Sequence, residues 1–314
     1  MKTEPPDRVA AECRADEPPA ILQPPPGRSA VPAYDRGWLV DAGKPEPFLS
    51  YLQIDPSVNW SAELEALHEE SSRTHFIDQW TRRALVQSVG PLAARATIAD
   101  IGCSTGFLLD DLRAAHPHAN LIGVDLIASG LRKAHRQLPS ALLLQADACA
   151  LPIGDACIDA VVSANLLEHI PDDERALAEV SRVLLPGGRV AIAVPAGPSA
   201  FDYYDRFLGH ERRYAPGELA AKCVRAGLEL LDDLYVAALL YPAFWLFKQR
   251  NRRRYGHLQG TALETRVAHD IARTHDSRLG RLSWRLEDTM ERAGLRLPFG
   301  IRSVVLARKP EHRS

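Results

Sequence analysis

A short apolar segment followed by a glycine turn most constrains how this chain can fold. The segment is Ile98-Ala-Asp-Ile-Gly-Cys-Ser-Thr-Gly-Phe-Leu-Leu109. It predicts a buried strand that ends near Asp100, a tight turn at Gly102 and a helix that begins near Gly106. Glycine has no Cβ, so the backbone here can bend sharply and approach a ligand closely. Because open α/β sheets bind ligands at the carboxyl ends of their strands, the segment predicts a ligand-binding loop.

The spacing of the glycines decides between two classes of ligand. Dinucleotide-binding loops follow the pattern G-x-G-x-x-G, which places a pyrophosphate on the helix N-terminus. Here Ser104 stands two residues after Gly102, and the pattern is D-x-G-x-x-x-G. An acid inside the loop would repel a pyrophosphate and suits a cationic ligand. At this point the chain resembles the class I S-adenosylmethionine-dependent methyltransferases, in which this loop surrounds the methionine and ribose of the cofactor.

Three later segments repeat the pattern of a strand that ends in a polar turn. Asn120-Leu-Ile-Gly-Val-Asp125 ends in an acid 23 residues after Gly102, close to the spacing of about 20 at which a strand-end acid meets ribose hydroxyls. A carboxylate can accept both hydrogen bonds of a vicinal diol. Ala141-Leu-Leu-Leu-Gln-Ala-Asp147 predicts a third strand. Cys157-Ile-Asp-Ala-Val-Val-Ser-Ala-Asn-Leu-Leu-Glu-His169 predicts a fourth strand that runs into a loop.

The resemblance implies a role for each segment. Asp125 is expected to bind the ribose, Asp147 to accept a hydrogen bond from the adenine amino group, and the Ala148 N–H to meet a ring nitrogen. Residues 184–195 resemble the family's helix end, Pro-Gly-Gly turn and fifth strand. The implied cofactor is S-adenosyl-L-methionine. The residues expected to bind it are Asp100, Gly102, Cys103, Gly106, Asp125, Leu126, Asp147, Ala148 and Asn165.

Strand and helix segments alternate between residues 96 and 200, which predicts an α/β fold. The resemblance implies a Rossmann-like, seven-stranded, mostly parallel sheet with helices on both faces. Residues 96–200 are expected to form its cofactor-binding core. Residues 201–314 are expected to hold a cap, or substrate region, with the last two strands and a helical insertion at about 240–296.

The residues before the core divide into two parts. Residues 1–33 include seven prolines within the first 30, which predicts a disordered tail. Residues 34–95 are expected to form an N-terminal helical extension that carries an amphipathic helix with Ser61 as its N-cap. Its apolar residues at helical spacing are Leu64, Leu67, Phe76, Ile77, Trp80 and Leu85.

Composition excludes several classes of function. The chain is 46% hydrophobic and 25% charged with a formal net charge of −2, so no basic field favours a nucleic-acid partner. Its five cysteines contain no C-x-x-C pair, which predicts reduced thiols. No cysteine or histidine cluster has metal-ligand spacing, so no metal site is predicted. No signal peptide and no run of 18 apolar residues is visible, which predicts a cytoplasmic protein.

Aromatic residues concentrate in the predicted cap. Ten of the chain's 21 Phe, Tyr and Trp residues lie between Phe201 and Phe247. Substrate sites are mostly apolar with a few placed polar groups, so part of this set is expected to line an acceptor pocket. The predicted substrate-binding residues are His75, Tyr204, Tyr214 and Trp245.

The apolar run that ends at Phe247 is followed by a basic cluster: Lys248, Arg250, Arg252, Arg253 and Arg254. This pattern is typical of a helix with a solvated basic end. It also leaves open a peripheral contact with a membrane. The oligomeric state is not readable from the sequence.

Two histidines are candidates for a general base. His169 follows the fourth strand, and His210 lies beside the aromatic group of the cap. A hydroxyl acceptor must lose its proton, and a histidine suits that step near neutral pH. Alternatively, both histidines are structural and the transfer needs only alignment in a dry site.

The predicted function is methyl transfer to a small-molecule or lipid-like acceptor, at oxygen or carbon. The loop after the fourth strand contains Ala164-Asn-Leu-Leu167 rather than the Asn-Pro-Pro-Tyr type of signature. With Glu168-His169 it resembles the small-molecule branch of the family, which includes quinone methyltransferases. Two alternatives remain at this level: a nicotinamide-dependent oxidoreductase, against which Ser104 argues, and a non-catalytic cofactor-binding partner protein.

Overall fold

The protein is built around one mixed sheet. A computed structural model describes residues 20–40, 45–52, 73, 75–274 and 278–311. Within these residues the sheet has eight strands in the order β1-β4-β3-β2-β5-β6-β8-β7. The strands are β1 (Leu49–Ser50), β2 (Thr97–Ile101), β3 (Asn120–Asp125), β4 (Leu142–Gln145), β5 (Ile158–Ala164), β6 (Leu184–Pro195), β7 (Glu229–Val236) and β8 (Arg302–Arg308). Only β8 runs antiparallel to its neighbours, so the predicted mostly parallel α/β fold is confirmed.

Helices follow most of the strands. They are α1 (Phe76–Val89), α2 (Phe107–Ala115), α3 (Ala128–Gln137), α4 (Asp173–Val183), α5 (Tyr203–Phe207), α6 (Glu218–Arg225), α7 (Tyr241–Tyr255), α8 (Gly260–Thr274) and α9 (Arg278–Arg292). Two single 3₁₀ turns, Leu167–His169 and Pro198–Ala200, lie between them. Helices α1 and α2 both pack against the half of the core that is built around Leu109 and Val162. Helix α4 packs on the other half, around Val161 and Leu177.

The central strands are apolar on both faces because helices cover both sides of the sheet. In β2, Ile98 and Ala99 are fully buried, and one faces each half of the core. The register pairs Asp100 of β2 with Gly123 of β3. Consecutive parallel strands therefore end at the same edge, where β2 leads into the glycine loop and β3 ends at Asp125.

The strand that the sequence predicts after the Pro-Gly-Gly turn begins before that turn in the structure. β6 spans Leu184–Pro195 and includes the Pro-Gly-Gly turn. Its pairing with β5 jumps from Ile158–Leu184 to Ala160–Arg189, so the turn forms an irregular loop within the strand. Gly187 has a φ of 77° there, a conformation that glycine adopts at little cost.

The N-terminal region differs from the prediction. The prediction of a disordered tail over 1–33 is wrong for residues 20–33, while residues 1–19 lie outside the described residues. Leu22 forms an antiparallel bridge with Ile153 and is 7% exposed. Trp38 is fully buried, and its Nε1 donates a hydrogen bond to the Leu143 carbonyl at 3.1 Å. In the same region β1 pairs in parallel with the outer edge of β4, Leu49 opposite Leu144, which accounts for the eighth strand.

We expect Trp38→Ala to lower the free energy of unfolding by about 3–5 kcal/mol, the usual cost of deleting a buried aromatic side chain. The measurement is equilibrium urea unfolding. Leu39→Ala is the matched control, because the adjacent Leu39 side chain is 42% exposed. It should change stability by no more than about 0.5 kcal/mol. Equal effects of the two variants would contradict docking of this segment on the sheet.

The N-terminal extension and the insertion both contain helices, and the extension also contains β1. Helix α1 contains the predicted apolar positions from Phe76 to Leu85, and Ile77, Trp80 and Leu85 are buried. Ser61, Leu64 and Leu67 lie outside the described residues. Residues 240–296 contain α7, α8 and α9. None of the described helices is long and apolar enough to cross a membrane.

Candidate active site

The glycine loop between β2 and α2 has the backbone shape that its sequence predicts. Gly102, Ser104 and Gly106 have φ angles of 83°, 45° and 89°, all in the left-handed region. The N–H groups of Gly102 and Cys103 both donate to the Val124 carbonyl, which ties the loop to β3. A Cβ at Gly102 would lie 3.0–3.1 Å from three side-chain atoms of Leu166. Only glycine therefore fits at this position, where the backbone of the glycine loop contacts the Leu166 side chain in the loop after β5.

The role of Gly106 is in helix packing, and it is not among the residues that line the cavity described below. It precedes α2, and a Cβ there would lie 2.9 Å from the Ala134 Cβ on α3. The glycine thus lets the start of α2 approach α3 closely.

We expect Gly106→Ala to destabilise the protein by about 2–5 kcal/mol, the sum of left-handed strain and overpacking. Gly217→Ala is the control, because Gly217 has a φ of 74° but no atom within 4 Å of an added Cβ. That variant should lose only the strain term of about 1–2 kcal/mol. Urea unfolding of both variants measures the difference, and equal losses would rule out the clash with α3.

Asp125 joins the two loops at the end of β3. Its Oδ2 accepts a hydrogen bond from the Ser104 N–H at 2.8 Å, and its Oδ1 accepts one from the Ile127 N–H at 2.9 Å. Each carboxylate oxygen retains a lone pair for a ligand. Burial raises the pKa of Asp125 despite these backbone hydrogen bonds. This geometry suits the two hydroxyls of a ribose.

Two further acceptors lie unsatisfied near the loop. Neither oxygen of Asp100 accepts a hydrogen bond from a described residue, although Asp100 is only 1% exposed. Burial raises its pKa well above the usual value, and the nearby Asp125 carboxylate adds to this shift. The Oδ1 atom of Asn165 is also buried with no described donor. The Asp100 and Asn165 oxygens are buried acceptors without a described donor, and the Asp125 carboxylate lies close to Asp100. Such a group suits a ligand that carries positive charge and N–H donors.

A cavity of about 360 Å³ opens at this edge of the sheet. The predicted site residues that line it are Gly102, Asp125, Leu126, Asp147, Ala148, Asn165 and His169. Asp147 accepts a hydrogen bond from the Cys149 N–H at 2.8 Å, which fixes the turn after β4. The side chain of Cys103 packs instead in the core behind the loop and is 5% exposed, so it can contribute only backbone to a ligand.

The other end of the cavity is lined by residues of two loops. Leu166, His169, Ile170 and Pro171 follow β5, and Leu208, Gly209 and Glu211 follow α5. The Glu211 N–H donates to the Glu168 carbonyl at 2.7 Å, which joins the loops. Four of these seven residues are apolar, so the end away from Asp125 and Asp147 is mostly apolar and has one imidazole, of His169, and one carboxylate, of Glu211.

His169 and His210 meet beside the cavity. Their ring centroids are 4.7 Å apart in an edge-to-face arrangement. The Nδ1 atom of His210 lies 3.0 Å from Asp205, and its Nε2 lies 4.0 Å from Glu168. Burial lowers the pKa of His210, against the attraction of the Asp205 carboxylate. Burial raises the pKa of Glu168 to about 7.

Asp205 is the centre of a buried charge cluster behind the histidines. It accepts from Arg213 Nε at 2.7 Å, lies 3.4 Å from Lys248 Nζ, and receives the Asp202 N–H at 3.0 Å. Burial alone would raise the pKa of Asp205, but the two cations and His210 outweigh it and hold the pKa well below its usual range. Asp205 therefore carries a negative charge and fixes the loop that contains His210.

The predicted substrate-binding side chains lie away from the described lining. Tyr214 is fully buried in the core and donates its O–H to Asp173 at 2.7 Å. Trp245 lies on α7 and donates to Ser199 at 3.0 Å. The Tyr204 ring lies 5.2 Å from the Lys248 ammonium, and His75 stacks on Phe76 before α1. The aromatic-rich segment predicts a pocket, but the rings of Tyr204, Tyr214 and Trp245 contact other residues of the protein outside the described lining.

Sequence reasoning also missed part of the site. The sequence motifs assign no role to Glu168, and they do not mark Asp205, Leu208 or Glu211 as site residues. Asp205 lies within the short helix α5 and His210 follows its end, five residues along the chain, and this pairing of acid and histidine is the available signal. The distance between Glu168 and His210 along the chain hid their contact.

The comparisons agree with this geometry. Residues 99–192 match a family model described as a methyltransferase domain. The chain is 34% identical over 168 residues to a trans-aconitate 2-methyltransferase of Azoarcus sp., which covers 53% of this chain and 62% of that protein. It is 36% identical over 118 residues to a demethylmenaquinone methyltransferase of Thermus thermophilus, which covers 36% of this chain and 53% of that protein. The matched region thus spans less than two thirds of either relative.

A solved structure extends the likeness in fold. The phosphoethanolamine N-methyltransferase 2 of Haemonchus contortus, in complex with S-adenosyl-L-methionine, aligns with a TM-score of 0.55 at 17% identity. The alignment covers 85% of this chain and 61% of that one. The sheet, the acid-lined glycine loop and the matched family model agree: residues 99–192 match a methyltransferase domain, and the fold around them is similar to that of a methyltransferase solved with S-adenosyl-L-methionine.

Proposed function

We propose that the whole protein is an enzyme that transfers a methyl group from S-adenosylmethionine to a small or lipid-like acceptor, at oxygen or carbon. The observation that carries this proposal is the cavity with two chemically different ends. Asp125, Asp147 and Ala148 line the cofactor end, whereas Leu208 and His169 line the other. When bound, S-adenosylmethionine supplies an activated methyl group on a positively charged sulfur.

The chain's own residues would hold and orient the two reactants. Asp125 would accept hydrogen bonds from the ribose hydroxyls, and Asp147 with the Ala148 N–H would hold the adenine. Asp100 and Asn165 supply buried acceptors for the charged end of the cofactor. These contacts fix the position of the methyl group, and an in-line approach of the acceptor then needs only correct placement in a dry site.

The acceptor end supports an apolar or partly apolar small molecule. Leu166, Ile170 and Leu208 exclude water, and His169 is the imidazole that faces the same space. The relatives named above are a trans-aconitate and a demethylmenaquinone methyltransferase, and both names refer to small-molecule acceptors. An acceptor at oxygen or carbon must lose a proton, and His169 is placed to receive it or to orient the acceptor.

The predicted peripheral membrane contact stays a prediction. Leu246 and Phe247 of α7 are 62% and 48% exposed, and exposed arginines follow them on the same helix. Such a surface suits the apolar and anionic layers of a membrane interface. Co-sedimentation with phosphatidylglycerol vesicles, compared with phosphatidylcholine vesicles, would test it.

The proposed function is tested by methyl transfer from labelled S-adenosylmethionine to a panel that contains a tricarboxylate, a hydroquinone and a cell extract. We expect label in an extractable small molecule together with release of S-adenosylhomocysteine. Tight binding of S-adenosylhomocysteine without transfer to any acceptor would favour the non-catalytic alternative. Preferential binding of NAD would overturn the cofactor assignment.

A pair of variants separates the acceptor end from the rest of the cap. Leu208→Trp fills the cavity and should raise the KM for an identified acceptor at least tenfold, while the Kd for S-adenosylhomocysteine stays within twofold. Trp245→Ala is the control, because Trp245 lies outside the described lining and should keep normal turnover. The opposite pattern would place the acceptor under α7.

A further inference from the structure

Three potential metal ligands converge at the acceptor end of the cavity. Glu168 and His169 come from the 3₁₀ turn after β5, and His210 comes from the loop after α5. One ligand atom from each lies within 4.8 Å of the other two. His169 also lines the cavity, so the group lies at the boundary between the protein interior and the acceptor space.

The hydrogen bonds fix how His210 faces this group. Its Nδ1 lies 3.0 Å from the Asp205 carboxylate, which can only accept, so Nδ1 carries the proton. In the neutral ring Nε2 then presents a lone pair toward Glu168 Oε1, 4.0 Å away. Two electron-rich atoms therefore face one another in a buried site, and the Glu168 Oε2 atom has no hydrogen-bond donor among the described residues.

The distance favours an ion between these atoms over a direct hydrogen bond. A hydrogen bond between nitrogen and oxygen needs about 2.7–3.2 Å, so 4.0 Å is too long. A metal ion that binds histidine nitrogen and carboxylate oxygen at about 2.0–2.2 Å in tetrahedral geometry separates the two ligand atoms by roughly 3.3–3.6 Å. The observed 4.0 Å is about half an ångström longer, so the two side chains would move slightly together around an ion.

The surroundings match the outer shell of a metal site. A metal-ligating histidine commonly donates its other ring N–H to a carboxylate, as His210 does to Asp205. Two arginines lie nearby, but each has an acidic partner that compensates its charge. Arg213 binds Asp205 at 2.7 Å, and Arg302 lies 3.7 Å from Asp78.

We propose that Glu168, His169 and His210 bind one divalent transition-metal ion, with an open coordination position toward the cavity. Two imidazoles and one carboxylate suit zinc, iron or nickel rather than magnesium or calcium. The ligand of the open position would be an oxygen atom of the acceptor, and this part of the inference rests on the proposed function. The metal site itself does not depend on it.

Metal binding by the full chain tests the site. The chain, freed of metal by a chelator, is titrated with Zn²⁺ by calorimetry, and the bound zinc is counted by elemental analysis after gel filtration. We expect one equivalent per chain, with affinity lowered at least tenfold by Glu168→Gln and by His210→Gln. His118→Gln is the control, because His118 is an exposed histidine outside the cluster and should not change the affinity.

A second readout separates local from global effects. The visible absorption of Co²⁺ bound in place of zinc reports nitrogen and oxygen ligation, and Glu168→Gln and His169→Gln should both change this spectrum. The Kd of each variant for S-adenosylhomocysteine shows whether the fold is intact. An absence of bound metal, or equal affinity in Glu168→Gln and the wild type, would overturn the metal site and leave a water or a shared proton between the ligands. Metal binding without any binding of S-adenosylhomocysteine would refute the proposed function alone.

Discussion

Asp125→Ala is expected to weaken binding of S-adenosylhomocysteine by about a hundredfold or more. Each hydrogen bond to a charged acceptor contributes about 1.5–3 kcal/mol, and a ribose would make two. The variant also leaves the Ser104 and Ile127 N–H groups without the carboxylate that now orders both loops. Calorimetric titration of the purified chain measures the effect.

Asp110→Ala is the matched control for this variant. Asp110 is an exposed acid in the first turn of α2, close in sequence to the same loop. Its removal should change the affinity by less than about twofold, because exposed charges contribute little. If Asp125→Ala binds the cofactor product as tightly as this control, the ribose is held elsewhere.

Asp205→Ala should lower the free energy of unfolding by about 3–5 kcal/mol. The reason is that Arg213 would remain buried without its carboxylate, while Lys248 would keep only Asp202 as an acidic partner. Natural domains are stable by only about 5–15 kcal/mol, so this loss is a large fraction of the total. Equilibrium urea unfolding gives the free energy, and the melting temperature should fall with it.

The ion pair between Glu174 and Arg225 provides the comparison. Its side chains are about half exposed, at 53% and 55%. Glu174→Ala should therefore cost no more than about 1 kcal/mol, since water screens an exposed pair. A loss of less than 1 kcal/mol for Asp205→Ala as well would mean that the cluster around Arg213 is hydrated in solution.

The cofactor end of the site was accessible to sequence reasoning because its residues follow local rules. Asp125 ends an apolar strand, and Gly102 follows another at a spacing that few other loops share. The carboxyl ends of parallel strands lie at one edge of the sheet, so the strand pattern alone predicts that these residues meet. The positions of Asp147 and Ala148 follow from the same rule applied to the next strand.

The acceptor end was not accessible in this way. Tyr214 and Trp245 have the composition expected of a pocket, but composition does not say which way a ring points. Tyr214 has a hydrogen-bond partner 41 residues away, and that contact turns it into the core. Glu168 and His210 likewise come from two loops that meet only in three dimensions.

The N-terminal segment shows a third kind of gap. The proline content of residues 1–33 predicts disorder, yet Leu22 is buried and forms a bridge with the buried Ile153. The pairing involves single bridges rather than a strand of regular alternation, so no periodic signal marks it. Proline content alone therefore did not separate an unpacked tail from an extended segment that docks.

The docking of Trp38 also imposes an order on synthesis. Its hydrogen-bond acceptor, the Leu143 carbonyl, lies 105 residues further along the chain. At about 5–20 residues per second, the ribosome needs roughly 5–20 seconds to make that stretch. During this interval the segment has no partner, and once β4 emerges its outer edge remains open until the segment closes over it. From the emergence of β4 until the segment docks, the unpaired N–H and C=O groups of β4 are exposed to strands of other nascent chains.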